Sequence, residues 1–179
     1  MKVVDRNKNA RTALGVCAAV ALALGTGAAV ADDTPSYRVA AIKDVAFGDR
    51  VLREDYEKAI DLLERRERRG IEAFYTATNL CVAYIKTGAQ EEAEASCNSA
   101  VEQIEYVLAQ RGRIDSPTEM QAARRLKAAA LSNRGVAYAV AGQNELAHAD
   151  FEAASKIESR LEEPEINLAR LNLAEASGG

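Results

Sequence analysis

Residues 131–154, LSNRGVAYAVAGQNELAHADFEAA, decide the fold of this 179-residue chain. On either side of a glycine, small and apolar residues recur at three- and four-residue steps, which predicts two helices with one apolar stripe each. The glycine suits a helix end that takes positive φ. These positions are Leu131, Gly135, Tyr138, Gly142, Ala147, Phe151 and Ala154. We therefore expect a helical hairpin in which two small residues allow close approach and two rings fill the space around them.

The same pattern occurs earlier in the chain. Residues 79–84 (Asn-Leu-Cys-Val-Ala-Tyr) match residues 133–138 (Asn-Arg-Gly-Val-Ala-Tyr), 54 residues later. The shorter interval of 34 residues separates Asn133 from Asn167, and Ala59 from Ala93, so the longer one contains a 20-residue insertion. A fixed period of this size is typical of repeat proteins. The sequence predicts an all-α fold of stacked antiparallel helical hairpins, with about three units, of which the first and last are incomplete.

Small, Tyr, Gly, Ala, Phe and Ala at these spacings resemble the tetratricopeptide repeat (TPR) family. The chain departs from that family because it has no tryptophan and because its closing proline is displaced to Pro164. The resemblance implies a TPR-like α-solenoid whose inner surface binds peptides or proteins. The residues expected to pack the repeats are Ala59, Tyr84, Gly88, Ala93, Gly135, Tyr138, Gly142, Ala147, Phe151 and Ala154.

The insertion lengthens two helices. Apolar spacing predicts that the helix after Gly88 continues to about Gln110. The stretch Ser116-Pro117-Thr118-Glu119 is a capping box with proline at the first helical position, so a helix begins there and continues towards Ala141. The turn between the two helices, from Arg111 to Ser116, is expected to be exposed.

The chain divides into three parts. Residues 51–176 form the predicted helical-repeat domain, and the second helix of its first unit covers about residues 53–68. Residues 32–50 have no decided structure, because residues 37–49 lack a helical signature. Their apolar residues suit either a short helix or a strand-like cover.

Residues 1–31 are predicted to be a secretory signal. A basic start precedes an apolar run at residues 13–24, and Ala29-Val30-Ala31 suits a signal peptidase that cleaves after Ala31. An uncleaved membrane anchor is the less favoured alternative, and acylation at Cys17 is disfavoured by the residues before it. We expect an exported protein, most simply in a periplasm. The basic residues are Lys2, Arg6, Lys8 and Arg11.

The charge disfavours general nucleic-acid binding. With 23 Lys and Arg against 27 Asp and Glu, the formal net charge is −4, and cleavage after Ala31 leaves −7. The basic run at residues 64–69 (Glu-Arg-Arg-Glu-Arg-Arg) is interpreted as a solvated helix end. A patch for acidic lipid or nucleic acid is its alternative. The partner that the resemblance to TPR proteins implies is a protein or peptide, and no nucleic-acid partner and no membrane contact after cleavage are expected.

Two cysteines remain after processing. Cys81 and Cys97 each lie about eight residues from the Gly88-Ala89 turn, on facing helices, so they share one height and can form a disulfide. Two buried thiols are the alternative. A redox pair is disfavoured because there is no Cys-x-x-Cys and neither thiol begins a helix.

No catalytic residue, metal site or cofactor is predicted. His148 is the single histidine, and it falls beside the apolar stripe, where a solvated side chain is expected. There is therefore no Cys/His cluster for zinc and no readable Ser/His/Asp set.

Three asparagines recur in register, two places before the small residue of each first helix. An amide has both a donor and an acceptor, so such a ladder can hold the backbone of an extended peptide. Bonding between neighbouring repeats is the alternative. The residues predicted to line the groove, on the family's geometry, are Tyr75, Asn79, Lys86, Asn133, Asn167 and Arg170.

These observations favour a non-catalytic helical-repeat module of the bacterial cell envelope that binds a protein or peptide. One alternative is an envelope redox or enzymatic protein that uses Cys81 and Cys97. Another is a structural protein that self-associates to cover the faces of its incomplete end units, which makes a homo-oligomer possible.

Overall fold

The computed structural model describes residues 36–65, 69–110 and 116–178, and this part of the chain is all-α, as predicted. It contains no strand. The predicted signal at residues 1–31, the centre of the basic run at 66–68 and the tip at 111–115 lie outside the described residues. The helices are α1 (Gly48–Leu52), α2 (Tyr56–Glu64), α3 (Ile71–Thr87), α4 (Gln90–Ala109), α5 (Pro117–Val140), α6 (Asn144–Ile157) and α7 (Glu162–Gly178).

Two helical hairpins form the centre of the described structure. Helix α3 packs most closely against α4, and α5 against α6, while α4 also contacts α5 and α6 contacts α7. Both hairpin turns contain a glycine with positive φ, 75° at Gly88 and 73° at Gly142, as the sequence predicts. The Ala89 N–H donates to the Tyr84 carbonyl at 3.1 Å, which satisfies an end carbonyl of α3. The first helices also touch, α3 against α5 and α5 against α7.

Gly135 is required where α5 and α6 meet. A Cβ atom at this position would lie 2.6 Å from the ring of Phe151, which is fully buried. Ala147 and Ala93 are buried at the equivalent small positions of α6 and α4. The close approach predicted from the sequence is therefore present.

An ion pair also joins α5 to α6. Both Nε and Nη2 of Arg134 donate to the carboxylate of Asp150, at 2.7 and 2.8 Å. Hydrogen bonding to Asp150 raises the pKa of Arg134, and this effect is larger than the lowering that burial causes. Asn98 of α4 accepts from Arg134 Nη1 at 3.3 Å and from the Tyr138 hydroxyl at 3.1 Å, which connects the two hairpins.

The two long helices have the predicted ends. Helix α4 ends at Ala109, one residue before the expected limit. Helix α5 begins at Pro117, and the Ser116 side chain caps it by accepting the Glu119 N–H at 3.1 Å.

The first unit differs from the expectation. Its helix α2 starts at Tyr56 instead of about Arg53, and a separate helix α1 crosses the expected boundary between residues 50 and 51. The backbone explains the break, because Glu54 has a φ of 63° and cannot continue α1. The ion pair between Arg50 and Asp55, at 2.6 Å, closes the turn.

Among the described residues, no helix combines the length and the apolar character needed to cross a bilayer.

Candidate functional site

The segment before α1 lies across the first helices. Residues 36–42, here called the N-terminal arm, contact Asn79 of α3, Asn133 of α5 and Asn167 of α7. These three asparagines are here called the asparagine ladder, and each is at most 1% exposed. The arm is the strand-like cover that the sequence left undecided for residues 37–49, and α1 is the short helix.

Each asparagine of the ladder binds one arm residue through both amide atoms. Asn167 Oδ1 accepts the backbone N–H of Arg38 at 2.7 Å. In the same way, Asn133 Oδ1 accepts the N–H of Ala40 at 2.8 Å, and Asn79 Oδ1 accepts that of Ile42 at 2.8 Å. In the same order, Nδ2 donates to the carbonyls of these residues at 2.7, 2.9 and 3.1 Å. The arm therefore runs from α7 to α3, opposite to the order of the helices in the chain.

This pattern requires an extended backbone. The N–H and C=O of one residue point the same way only in an extended chain, and alternate residues are then about 6.6–6.8 Å apart. The three amides thus replace one neighbouring β-strand. They contact the arm through its backbone alone, so this part of the recognition does not depend on the arm's side chains.

A bond between repeats also exists, at one position. Asn167 Nδ2 lies 3.4 Å from the hydroxyl of Ser132, which belongs to the preceding first helix. The described bonds of the ladder otherwise go to the residues before α1.

The chain turns sharply around Asn79 after the arm. Its Nδ2 also donates to the carbonyls of Val45 at 3.1 Å and Ala46 at 3.0 Å. Asp44, Ala46 and Phe47 have positive φ, which costs a non-glycine residue about 1 kcal/mol or more. The contacts of Asn79 and the packing of this turn hold that backbone in place.

Gly48 allows the turn to close onto the arm. A Cβ atom there would lie 1.8 Å from the carbonyl oxygen of Ile42 and 3.0 Å from Nδ2 of Asn79. Any larger residue must displace either the arm or α1.

The side chains of the arm complete three apolar clusters. The ring of Tyr37 stacks on Phe151 with centroids 6.5 Å apart. Val39 packs beside both Val82 and Val136, and Ile42 packs against the cluster around Phe74. Burial raises the pKa of Tyr37, and the charge of Glu175 adds to this, while Arg170 opposes it.

The other predicted groove residues divide into two groups. Arg170 donates to the carbonyl of Ser36, and Lys86 lines a cleft beside the arm. Tyr75 packs against Phe74, with ring centroids 5.6 Å apart, and within the described part of the chain it makes no hydrogen bond to the arm. The structure therefore brings Lys86, Arg170 and the asparagine ladder together around one extended segment.

Sequence reasoning missed what occupies the groove. The alternation of Tyr37, Val39 and Ala41 with Arg38 is a signal of extended backbone. A glycine at position 48 is a signal that another part of the backbone approaches closely there. Neither feature indicates that the partners are the asparagines, because these lie 37 to 129 residues away along the chain.

The cysteines and the histidine lie apart from the arm. The predicted disulfide is present, joins Cys81 to Cys97 and is buried, with exposures of 1% and 0%. The His148 side chain is 32% exposed and lies 3.3 Å from Glu175 of α7, so it is only partly solvated and less free than expected. The described residues contain no cluster of three His, Cys, Asp or Glu that suits a metal ion.

Comparison of this chain with family models, with curated proteins and with solved structures finds no match to any of the three.

Proposed function

We propose that this chain is a non-catalytic module of the bacterial cell envelope that binds protein segments in extended conformation. The observation that carries the proposal is the asparagine ladder, which binds the arm at every second residue through backbone atoms. A surface that recognises backbone in this way accepts different sequences, provided that they are extended. The resemblance of the repeats to TPR proteins supports the same function.

The groove adds limited side-chain selectivity. Phe151 accepts an aromatic ring, and Val82 and Val136 accept a β-branched residue two places later. The segment Tyr-x-Val of the arm therefore serves as a guide to the kind of polypeptide that fits. The two cysteines support a structural rather than a redox role, because the disulfide is buried between α3 and α4.

The binding experiment uses the full chain with Ala40→Pro. This substitution removes the N–H that Asn133 accepts, so it weakens the binding of the arm to the asparagine ladder. A labelled peptide with the sequence of residues 36–42 is then titrated by fluorescence anisotropy, after circular dichroism has shown unchanged helix content. We expect saturable binding that is lost when Asn133→Ala is added and kept when the exposed Asn172 is changed to Ala. The same peptide with proline at the position of Ala40 is the matched peptide control. Absence of binding to the Ala40→Pro chain contradicts the proposal.

The location is tested separately by intact mass spectrometry of protein from the native host. A chain that starts at Asp32, with cysteines alkylated only after reduction, supports export. An intact amino terminus with free thiols contradicts it.

A further inference from the structure

The turn between the arm and α1 contains most of the left-handed backbone in the described part of the chain. Four described residues other than glycine have positive φ, and Asp44, Ala46 and Phe47 of this turn are three of them, at 63°, 45° and 52°. Residues with a Cβ atom are unfavourable in this region. The turn is tight, because the Gly48 N–H donates to the Val45 carbonyl at 2.9 Å. The arm therefore reaches the ladder of its own chain through an unfavourable backbone conformation.

The contacts that hold the arm lie outside this turn. Six hydrogen bonds join the asparagine ladder to the backbone of residues 38, 40 and 42. The ring of Tyr37 adds its contact with Phe151. None of these contacts requires that the arm and the ladder belong to the same chain. The arm of a second copy would make all of them once its own turn had opened.

We propose that the asparagine ladder also binds the arm of a second copy of this chain, so that two copies exchange arms and form a symmetric dimer. This inference rests on the proposed function, because it uses the same groove and names a partner segment for it. The structure itself identifies the occupant, since residues 36–42 are the segment that lies on the ladder. A strained connection between two parts of a chain favours this kind of exchange.

Residues 43–47 form the hinge of the exchange. In extended conformation these five residues span roughly 16 Å, at about 3.3 Å each, which leads the arm away from its own helices. Extension removes the three left-handed conformations from each chain. It also breaks the bonds that Asn79 donates to the carbonyls of Val45 and Ala46. Since the arm and the ladder keep their contacts, the balance between monomer and dimer should depend on the hinge and on protein concentration.

Ala46 provides two substitutions with opposite effects at one hinge position. Glycine adopts positive φ without strain, so Ala46→Gly favours the closed turn. Proline fixes φ near −65°, so Ala46→Pro excludes the closed turn and suits an extended hinge.

Analytical ultracentrifugation of the oxidised full chain measures the dissociation constant of the dimer. Because a dimer contains two hinges, we expect this constant to be at least about tenfold higher for Ala46→Gly than for the wild type, and at least about tenfold lower for Ala46→Pro. An equal dimer fraction in the three chains, or no dimer in any of them, contradicts the inference.

A mixture of two variants tests whether the arm is the exchanged segment, and it remains decisive if Ala46→Pro fails to fold. One chain carries Ala40→Pro and keeps an intact ladder, while the other carries Asn133→Ala and keeps an intact arm. Only the mixed pair contains an intact arm that can bind an intact ladder. We expect a heterodimer in native mass spectrometry of the mixture, whereas each chain alone stays monomeric. Ala40→Pro added to the Asn133→Ala chain is the matched control and should abolish the heterodimer.

Amide hydrogen exchange by NMR locates the contact in this mixture. The Ala40 amide of a ¹⁵N-labelled Asn133→Ala chain should gain protection when the unlabelled Ala40→Pro chain is added. A heterodimer without this protection associates through another surface, which contradicts the inference. If the arm peptide binds the Ala40→Pro chain but the Asn133→Ala chain does not, the inference fails and the proposed function stands. If the arm peptide does not bind either, the proposed function fails as well.

Discussion

Asn133 holds Ala40 through both atoms of its amide, with Oδ1 accepting the N–H at 2.8 Å and Nδ2 donating to the carbonyl at 2.9 Å. This pair lies at the middle of the asparagine ladder, 93 residues apart in the chain. Replacing Asn133 with Ala removes both bonds and leaves two backbone groups of the arm unpaired. Since one such bond is worth about 0.5–1.5 kcal/mol net, we expect the free energy of unfolding to fall by about 1–3 kcal/mol.

Chemical denaturation measures this loss, and amide exchange at Ala40 reports release of the arm. Asn172→Ala is the matched control, because Asn172 lies on α7 and is exposed. If Asn133→Ala leaves the Ala40 amide as protected as in the wild type, the ladder does not hold the arm.

Gly48 controls whether the arm can remain in place. Gly48→Ala puts a methyl group within 1.8 Å of the Ile42 carbonyl oxygen, so the arm or α1 must move. We expect destabilisation of about 1–3 kcal/mol or more, together with faster trypsin cleavage after the exposed Lys43. Gly88→Ala is the control, because open space surrounds this position and no atom would meet the added methyl group. Its only cost is that of alanine at a positive φ, about 1–2 kcal/mol. Slow cleavage in both variants would show that the close contact does not fix the arm.

The helices and the disulfide could be predicted from the sequence because their causes are local or repeated. The capping box at Ser116 lies within four residues, and the match of Asn79 to Asn133 aligns whole hairpins. The arm could not be predicted in the same way. Its hydrogen-bonding groups are backbone atoms, which every residue has, so nothing in residues 36–42 distinguishes the asparagines as their partners. The sequence predicted three asparagines in register and left open whether they bind a peptide backbone or a neighbouring repeat, and the topology supplied the segment that they bind.

The disulfide is expected to stabilise the α3/α4 hairpin without taking part in binding. Changing both Cys81 and Cys97 to Ala should lower the free energy of unfolding by about 3 kcal/mol, because the bond closes a loop of 16 residues. Guanidinium unfolding with and without reductant measures this, and the reduced wild type should resemble the double variant. Arm-peptide binding to the Ala40→Pro chain should be unchanged by the cysteine substitutions. Loss of that binding while the chain stays folded would contradict a purely structural role.

The ion pair of Arg134 and Asp150 should contribute more than the surface pairs. The Asp150 side chain is only 9% exposed, and it accepts two hydrogen bonds from the guanidinium. Asp150→Asn leaves a partly buried cation without its counter-charge, so we expect a loss of about 1.5–3 kcal/mol. Glu152→Gln is the control, because its exposed pair with Lys156 should contribute less than about 1 kcal/mol. Equal effects of the two substitutions in thermal unfolding would refute this ranking.

Tyr84 should make the fold sensitive to alkaline pH. Burial raises the pKa of its hydroxyl well above the usual range near 10, and the hydrogen bond to Glu64 of α2 raises it further. Above pH 10 the unfolded chain therefore loses this proton before the folded chain does. The free energy of unfolding should then fall as pH rises through the interval between the two pKa values, while the full contribution of Tyr84 is present below pH 10.

Tyr84→Phe tests this dependence. At pH 7 the free energy of unfolding of the variant should be about 1 kcal/mol below that of the wild type, because the hydrogen bond to Glu64 is gone. Between pH 10 and 11 its stability should decline less steeply than that of the wild type. Part of the decline should remain, because burial also raises the pKa values of Tyr37 and Tyr56. Guanidinium unfolding of the oxidised chain across this range gives both curves. If they stay parallel, the proton on Tyr84 does not link α2 to α3 in the way that the structure indicates.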